Sequence, residues 1–493
     1  MHRSNERGAA IVLAIFMMLM VTAIGAAMVT VARTETLSSG SYTSMSQARY
    51  AAESGVAAAT NYLLSSAYAG VMPGTGGDPI ANYDVTASPV RFNGNPVVLS
   101  SDPAVTSNYA AAAVVTAFQT ATAGTLQIGG TASYSARATL IRMRQIVDGI
   151  SNQTVTLQTW EVTGLGGRAI GEIAGTAQVS AIVERGTRPV FNYAAFATAN
   201  GCNALTMTGN TATNSYDSAV AVAAGNTPVL SPYGGHLGTN GNLGGIGQAQ
   251  VNGTLSTPMS GIGACTANNV TAASLGAQAE IAEGLVQLSQ PIVFPTPPAP
   301  NPLPPTSNQG INNPSCTGLP NCTLNGNQVV FTPVGTTPVL LGNVTINGGQ
   351  TVVLKAGTYH VNSMTLSGGG RIMVDPASGG QVNIVLAGQG GGTRVFDVTG
   401  NGIANTTWDP SQLRISYHGT KELQFDGNGD TAALIYAPNA HASLAGTADF
   451  YGAVITRTVS SVGTAGLHYD RRLQNSTLTP ANPVMTSFSW HTF

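Results

Sequence analysis

From Ala9 to Ala32 the chain reads AAIVLAIFMMLMVTAIGAAMVTVA, without one charged side chain. At ~1.5 Å per residue, a helix over this stretch spans about 36 Å, enough to cross a hydrocarbon core of ~30 Å. It follows a short polar leader, MHRSNERG, with Arg3 and Arg7. Basic residues before the apolar run and a longer chain after it predict a cytoplasmic N-terminus. Helical spacing then continues, with Ala48, Ala51, Ala52, Val56, Ala59 and Leu63 on one face. The stop signals are Gly70, Pro73, Gly74, Gly76 and Gly77. The pattern therefore predicts one helix from Ala9 to about Leu64, ~85 Å long. A secretory signal peptide has an apolar core of ~7–15 residues and a cleavage site after it, which this run exceeds. A plain anchor has no need of the second half. A subunit packed lengthwise beside like helices does.

The next pattern mixes periods. Ser107–Thr120 (SNYAAAAVVTAFQT) predicts a short helix capped by Ser107. Period-two alternation follows in Ser133–Ile146, Gln153–Leu165 and Gly175–Gly186. It predicts antiparallel strands with one wet face.

After Phe191 the runs shorten and Gly, Asn and Ser punctuate them, as in Gly238–Gly247 (GTNGNLGGIG), Val251–Pro258 and Ser260–Cys265. Stacked rungs of a β-solenoid fit this punctuation. Ser274–Gln287 (SLGAQAEIAEGLVQ) predicts a helix. Pro291–Pro305 holds eight prolines in fifteen residues, so it predicts an extended segment, either a spacer or a strip along a sheet edge. Strand signals then dominate: Gln328–Val334, Thr337–Gly348, Gln350–Val374, Gln381–Gly388, Gln412–Gly419, Thr431–Gly446 and Asp449–Val459. Branched residues between Gly or Asn corners suit a solenoid, and the absence of a strict repeat length leaves a β-sandwich as the alternative.

Composition narrows the function. Charged residues are 8% of the 493, against about 25% in ordinary soluble domains. The net charge is −2, and Lys355 and Lys421 are the lysines, so no basic stripe is present to neutralise a phosphate backbone and nucleic acid is not an expected partner. The low charge, with 60 Gly, suits an exported, strand-rich chain.

Candidate chemistry is sparse. Cys202, Cys265, Cys316 and Cys322 are even in number, as in an exported disulfide framework, and three connectivities can be drawn. Spacing favours Cys316–Cys322 closing a short loop, with Cys202–Cys265 stapling the first β region. Asp426, Asn428 and Asp430 place oxygens at positions one, three and five, like the front of a calcium loop. Thr431 stands where that loop needs Gly, and Ala437 where it needs Glu, so a Gly/Asn turn is the favoured reading and no metal is expected. No nucleophile elbow, HExxH or P-loop occurs. Neither an enzyme activity nor a cofactor is expected.

Two elements, RGAAIVLAIFMMLM (Arg7–Met20) and QARYAAESGV (Gln47–Val56), carry a resemblance over about 60 residues. Together they resemble the N-terminal domain of PilX-type minor pilins, the AAESG element at Ala51–Gly55 being the more specific. The resemblance implies cleavage by prepilin peptidase between Gly8 and Ala9, N-methylation of Ala9, and entry into a type IV pilus or pseudopilus. Major pilins carry Glu at the fifth mature residue, where this chain has Leu13. A carboxylate in lipid is costly unless paired. A subunit with none above it has no neighbouring amine to pair, so Leu13 points to a minor or tip component. Lys355–Gly370 and Leu434–Leu473 also resemble the β-rich domain fused to PilX-type N-termini and domains of surface-anchored bacterial proteins. That resemblance implies a passive stacked β architecture.

The expected organisation is α+β: a leader (1–8), a transmembrane and filament-core helix (9–65) and a pilin-like domain with a small antiparallel sheet (66–190). A first β-rich region (191–290), a Pro-rich segment (291–310) and a C-terminal solenoid-like domain (311–493) follow. The expected function is structural, in filament initiation or tip assembly, with adhesion through a surface ligand. Expected partners are other pilins, prepilin peptidase and the inner-membrane assembly platform. The expected location is the inner membrane first, then the pilus or cell surface. The alternative is a membrane-tethered adhesin or carbohydrate-binding protein that never enters a filament.

Overall fold

The computed structural model describes residues 6–69, 72, 77–127, 130–150, 154–170, 173–223 and 225–492. Leader residues 1–5 and the stop signals Gly70, Pro73, Gly74 and Gly76 lie outside them. The chain divides into two compact units, one built from Met1–Val147, Thr154–Thr187 and Pro480–Phe493, the other from Asp148–Gln153 and Arg188–Thr479.

The first unit is a helix on an antiparallel sheet. The helix runs Glu6–Leu64. Three strands of seventeen residues each, Thr131–Val147, Thr154–Ile170 and Ile173–Pro189, form the middle of a six-stranded sheet. Both junctions between them are antiparallel. Val98–Ser100 and Gly124–Gln127 pair with the first of these strands. Leu478–Thr492 extends the sheet beyond Ile173–Pro189, so the final strand joins this sheet and not the C-terminal β region to which its position in sequence assigns it.

The short helix lies at Ala112–Thr122, not Ser107–Thr120, and Ala111 stands at its start with no side-chain cap. Ser107 is drawn off to Ser100, accepting that residue's N–H at 2.8 Å. An Ala-rich run needs no cap to be helical when Val114, Phe118 and Thr122 bury its inner face. Tyr68, Tyr109, Phe118 and Trp160 fill the core beneath it. Gln158 Oε1 accepts from Tyr68 Oη at 2.8 Å and from Trp160 Nε1 at 3.0 Å, which satisfies both buried donors.

The second unit is a tall stack of parallel strands around one apolar core. In space, one ladder runs Leu285–Gln287, Leu255–Thr257, Leu237–Thr239, Ala195–Ala197, Phe450–Gly463, Thr431–Gly446, Leu413–Tyr417, Val382–Leu386, Gly357–Leu366, Val339–Ile346. Nine steps of ~4.8 Å make it roughly 43 Å tall. Like residues stack inside: Leu243, Leu205, Val459, Ala442, Leu423, Phe396 and Met364 are in register on seven successive rungs, all buried.

Neither architecture expected for this region describes it. A sandwich is antiparallel, and here the described strand pairings are parallel except for the hairpin of Cys322–Asn325 with Gln328–Phe331. A solenoid wound in sequence order sets each turn beside its sequence neighbour. Here the late strand Phe450–Gly463 lies against the early strands Ala195–Ala197 and Leu205–Gly209. The two halves of the region meet through their remote ends, and the ends of its long segment Arg188–Thr479 are tied together where Val190 N donates to Thr477 O at 2.9 Å.

The expected helix at Ser274–Gln287 is also corrected. It forms three short strands, Ala273–Leu275, Glu280–Ile281 and Leu285–Gln287. Each extends a ladder already begun by Leu243–Gly247, Gln250–Val251 or Leu255–Thr257. A rung offers those backbone groups ready partners, and tertiary pairing overrides the helical spacing.

The Pro-rich segment runs along this stack as a strap. Ile292 exchanges hydrogen bonds with the Asn240 side chain, and Tyr436 Oη donates to Pro295 O at 2.7 Å. Farther on, His360 Nδ1 lies 2.7 Å from Pro302 O, Gln389 Nε2 2.9 Å from Pro304 O, and Asn343 Nδ2 2.8 Å from Thr306 O. Proline has no N–H, so beyond the Ile292 N–H these contacts are ones in which the strap's carbonyls accept, and residues 291–305 add no strand of their own.

Candidate functional site: the apolar helix and its seat

The long helix has two halves of different chemistry. Its apolar half faces outward: Ile11, Leu13, Phe16, Met18 and Val29 are all more than half exposed. It is long and apolar enough to cross a membrane, with a mean hydropathy of 2.6 over its most apolar window. Leu13 is 62% exposed, so no described residue covers it. Gly8 and Ala9 lie within the helix Glu6–Leu64, and their side-chain surroundings are outside the described residues.

The second half is seated on the sheet. Ala48, Ala51, Ala52, Val56, Ala59 and Leu63 are its buried apolar positions. The seat is made by glycine. Gly164 and Gly166 are two apart on one strand and so face the same side. A Cβ at Gly164 would fall 2.0 Å from Ala52 O, and one at Gly166 would fall 1.9 Å from Ala48 O. Ala48 and Ala52 are one helical turn apart, so the helix backbone lies directly on these two positions. Gly55 completes the fit from the helix side, where a Cβ would meet Ser135 O at 2.6 Å.

The AAESG element thus has a packing role. Ala51 and Ala52 are buried, Glu53 pairs with Arg49 one turn back at 3.0 Å, and Ser54 donates to Tyr50 O. The sequence pattern identified the helix face. It did not identify the glycines opposite, although their alternation in GLGG (Gly164–Gly167) is visible in the chain.

In the stack, Cys202 is bonded to Cys265 and Cys316 to Cys322. The three residues of the acidic turn are occupied separately. Asp426 accepts from the Gln424 amide, Asn428 N donates to Gly400 O, and Asp430 Oδ1 accepts from Asp449 N at 2.9 Å. Among the described residues, no three His, Cys, Asp or Glu side chains are grouped to hold a metal.

Burial shifts several groups in the stack. It pushes the Tyr359, Tyr436, Tyr451 and Tyr469 phenols well above their usual range, and holds the Arg414 guanidinium down to about 10. These side chains belong to the core of the stack.

A family model described as a domain of unknown function (DUF7305) matches residues 325–476. No curated protein matches this chain. Among solved structures the chain is similar to the competence-associated pilin ComZ from Thermus thermophilus, at 14% identity, covering 92% of this chain and 98% of that one, with a TM-score of 0.27. So loose a correspondence carries no argument about function.

Proposed function

We propose that this chain is a minor pilin of the PilX type, a structural component of a type IV pilus or related pseudopilus. The observation that carries the reading is the division of the long helix into an apolar half left bare and an Ala-rich half seated on glycine. A bare apolar surface of this size needs cover, from lipid before assembly and from neighbouring helices afterwards. In this reading prepilin peptidase cleaves between Gly8 and Ala9, and the helix then passes from the inner-membrane platform into the filament among other pilins. Leu13 in place of a paired carboxylate, and the bulk of the parallel stack, support a minor or tip position. The role is one of assembly and display, without catalysis.

Mass spectrometry of the N-terminus, in sheared filaments and in membranes, tests this. A peptide beginning at N-methylated Ala9 in both fractions is the expected result. An intact leader confined to membranes would replace the proposal with a tethered surface adhesin.

A further inference from the structure

Beside the strand Thr431–Gly446 the stack opens into a cleft of 540 Å³, within the size range of small-ligand sites. Its floor comes from successive rungs. Arg371 begins the strand Arg371–Val374, which pairs with Ile403–Ala404, and Asp430 directly precedes Thr431. Asn401 and Gly402 turn the middle rung, and Gly429 packs on them so closely that a Cβ there would fall 2.0 Å from Asn401 O. Arg371 is exposed and takes part in none of the ion pairs found among the described residues. Asp430 directs Oδ1 to the Asp449 N–H.

One wall is formed by loop residues including Val222 and Thr227, and another by Trp408, a non-glycine residue held in the left-handed region at φ 58°. Such a backbone is strained and persists where its surroundings enforce it. They do so here. Asn405 Nδ2 donates to Asp409 O at 2.6 Å, Thr407 Oγ1 donates to Asn405 Oδ1 at 2.8 Å, and Tyr216 Oη donates to Trp408 O at 2.8 Å. The ring is braced by a T-shaped contact with Tyr451, centroids 4.8 Å apart. An aromatic ring is thus fixed at the edge of a cleft that also offers a guanidinium, an amide and a carboxylate.

We infer that this cleft binds a neutral saccharide, with Trp408 stacking on the apolar face of a pyranose ring and Arg371, Asn401 and Asp430 hydrogen-bonding its hydroxyls. The chemistry selects this class. One cation and one anion leave the cleft without net charge, which disfavours phosphate and polyanions. Donors and acceptors stand beside one aromatic platform, the mixture that a ring with C–H faces and a hydroxyl rim requires. The binding is independent of whether the helix enters a filament.

The test is calorimetric titration of the full chain, in a zwitterionic detergent without sugar headgroups, with glucose, galactose, N-acetylglucosamine, cellobiose, lactose and chitobiose. At least one is expected to bind with a Kd of about 1 mM or tighter. Trp408→Ala and Arg371→Ala are each expected to weaken it about 10-fold or more, a change of roughly 1.4 kcal/mol. Trp490→Phe is expected to leave it unchanged. Arg371 is exposed and in no ion pair among the described residues, so its variant decides the matter if Trp408→Ala does not fold. Failure of the wild-type chain to bind any of the six sugars, or equal binding by Arg371→Ala, overturns the inference.

Discussion

The two units use glycine for opposite ends. In the helix-on-sheet unit, Gly164 and Gly166 lie within a strand and give up side-chain packing so that a helix backbone can approach a sheet backbone. In the parallel stack, glycines gather at a corner. Gly446, Gly463, Gly209 and Gly247 are in register on four successive rungs, all at positive φ. A Cβ on Gly463 would fall 2.8 Å from Gly446 O, and one on Gly209 would fall 2.6 Å from Gly463 O. The first arrangement joins two kinds of element at a single place. The second repeats one turn, and it continues unbroken where the late part of the chain meets the early part. Damage should therefore be concentrated in the first unit and shared among rungs in the second.

Gly166→Val should have the largest effect. Its side chain would collide with the Ala48 carbonyl, and a loss of about 4 kcal/mol or more is expected. Thermal melting with limited proteolysis of the 48–64 segment would show the helix released while the stack retains its own transition. Equal protease resistance in variant and wild type would show that the helix does not depend on the glycine seat.

Removing the Cys202–Cys265 bond with paired alanines should cost about 4 kcal/mol, since it closes a loop with a sequence separation of 63. Removing Cys316–Cys322, with a separation of 6, should cost about 2 kcal/mol. Denaturant midpoints of the two paired variants compare them directly. A reversed order would mean that the first region retains structure when unfolded.

Gly463→Ala should cost about 1–3 kcal/mol, the ordinary cost of strain at positive φ, because adjoining rungs share the disturbance. A loss as large as that of Gly166→Val would erase the distinction between seat and corner.

The mildest test is alkaline titration. The folded stack holds the Tyr359, Tyr436, Tyr451 and Tyr469 phenols above their ordinary value of 10.0, by burial. The folded state therefore keeps protons that the unfolded chain releases, so stability is retained below about pH 10 and declines as pH rises beyond it. Absorbance at 295 nm should show these phenols ionising together with loss of structure. Gradual ionisation of a chain that stays folded would mean that water reaches them.

What could be read from the sequence was local. The unbroken run Ala9–Ala32, the Ala48-to-Leu63 face and the alternation around Ser133–Ile146 each carry their period within one segment. What could not be read depends on remote partners. Ser107 has the chemistry of a cap, yet Ser100 captures it. Ser274–Gln287 has helical spacing, yet open rungs recruit it. Arg371, Trp408 and Asp430 are dispersed in sequence, and only the stacking of rungs brings them to one cleft. Of these, the sequence pattern points to Asp430 alone, through a calcium-like turn whose Asp426 and Asp430 accept from separate partners.

The meeting of Val190 and Thr477 bears on how this molecule answers force. Tension drawn through the chain on either side of Arg188–Thr479 would reach that segment at one clasp, where its first and last backbones are hydrogen-bonded to each other. A coil loaded at opposite ends would unwind turn by turn. Here both ends of the stack lie within the loop of chain that the clasp closes, with the strap from Asn240 to Asn343 drawn along them. Such a body would hold its form until the clasp opened, with the rungs inside the loop shielded from the pull.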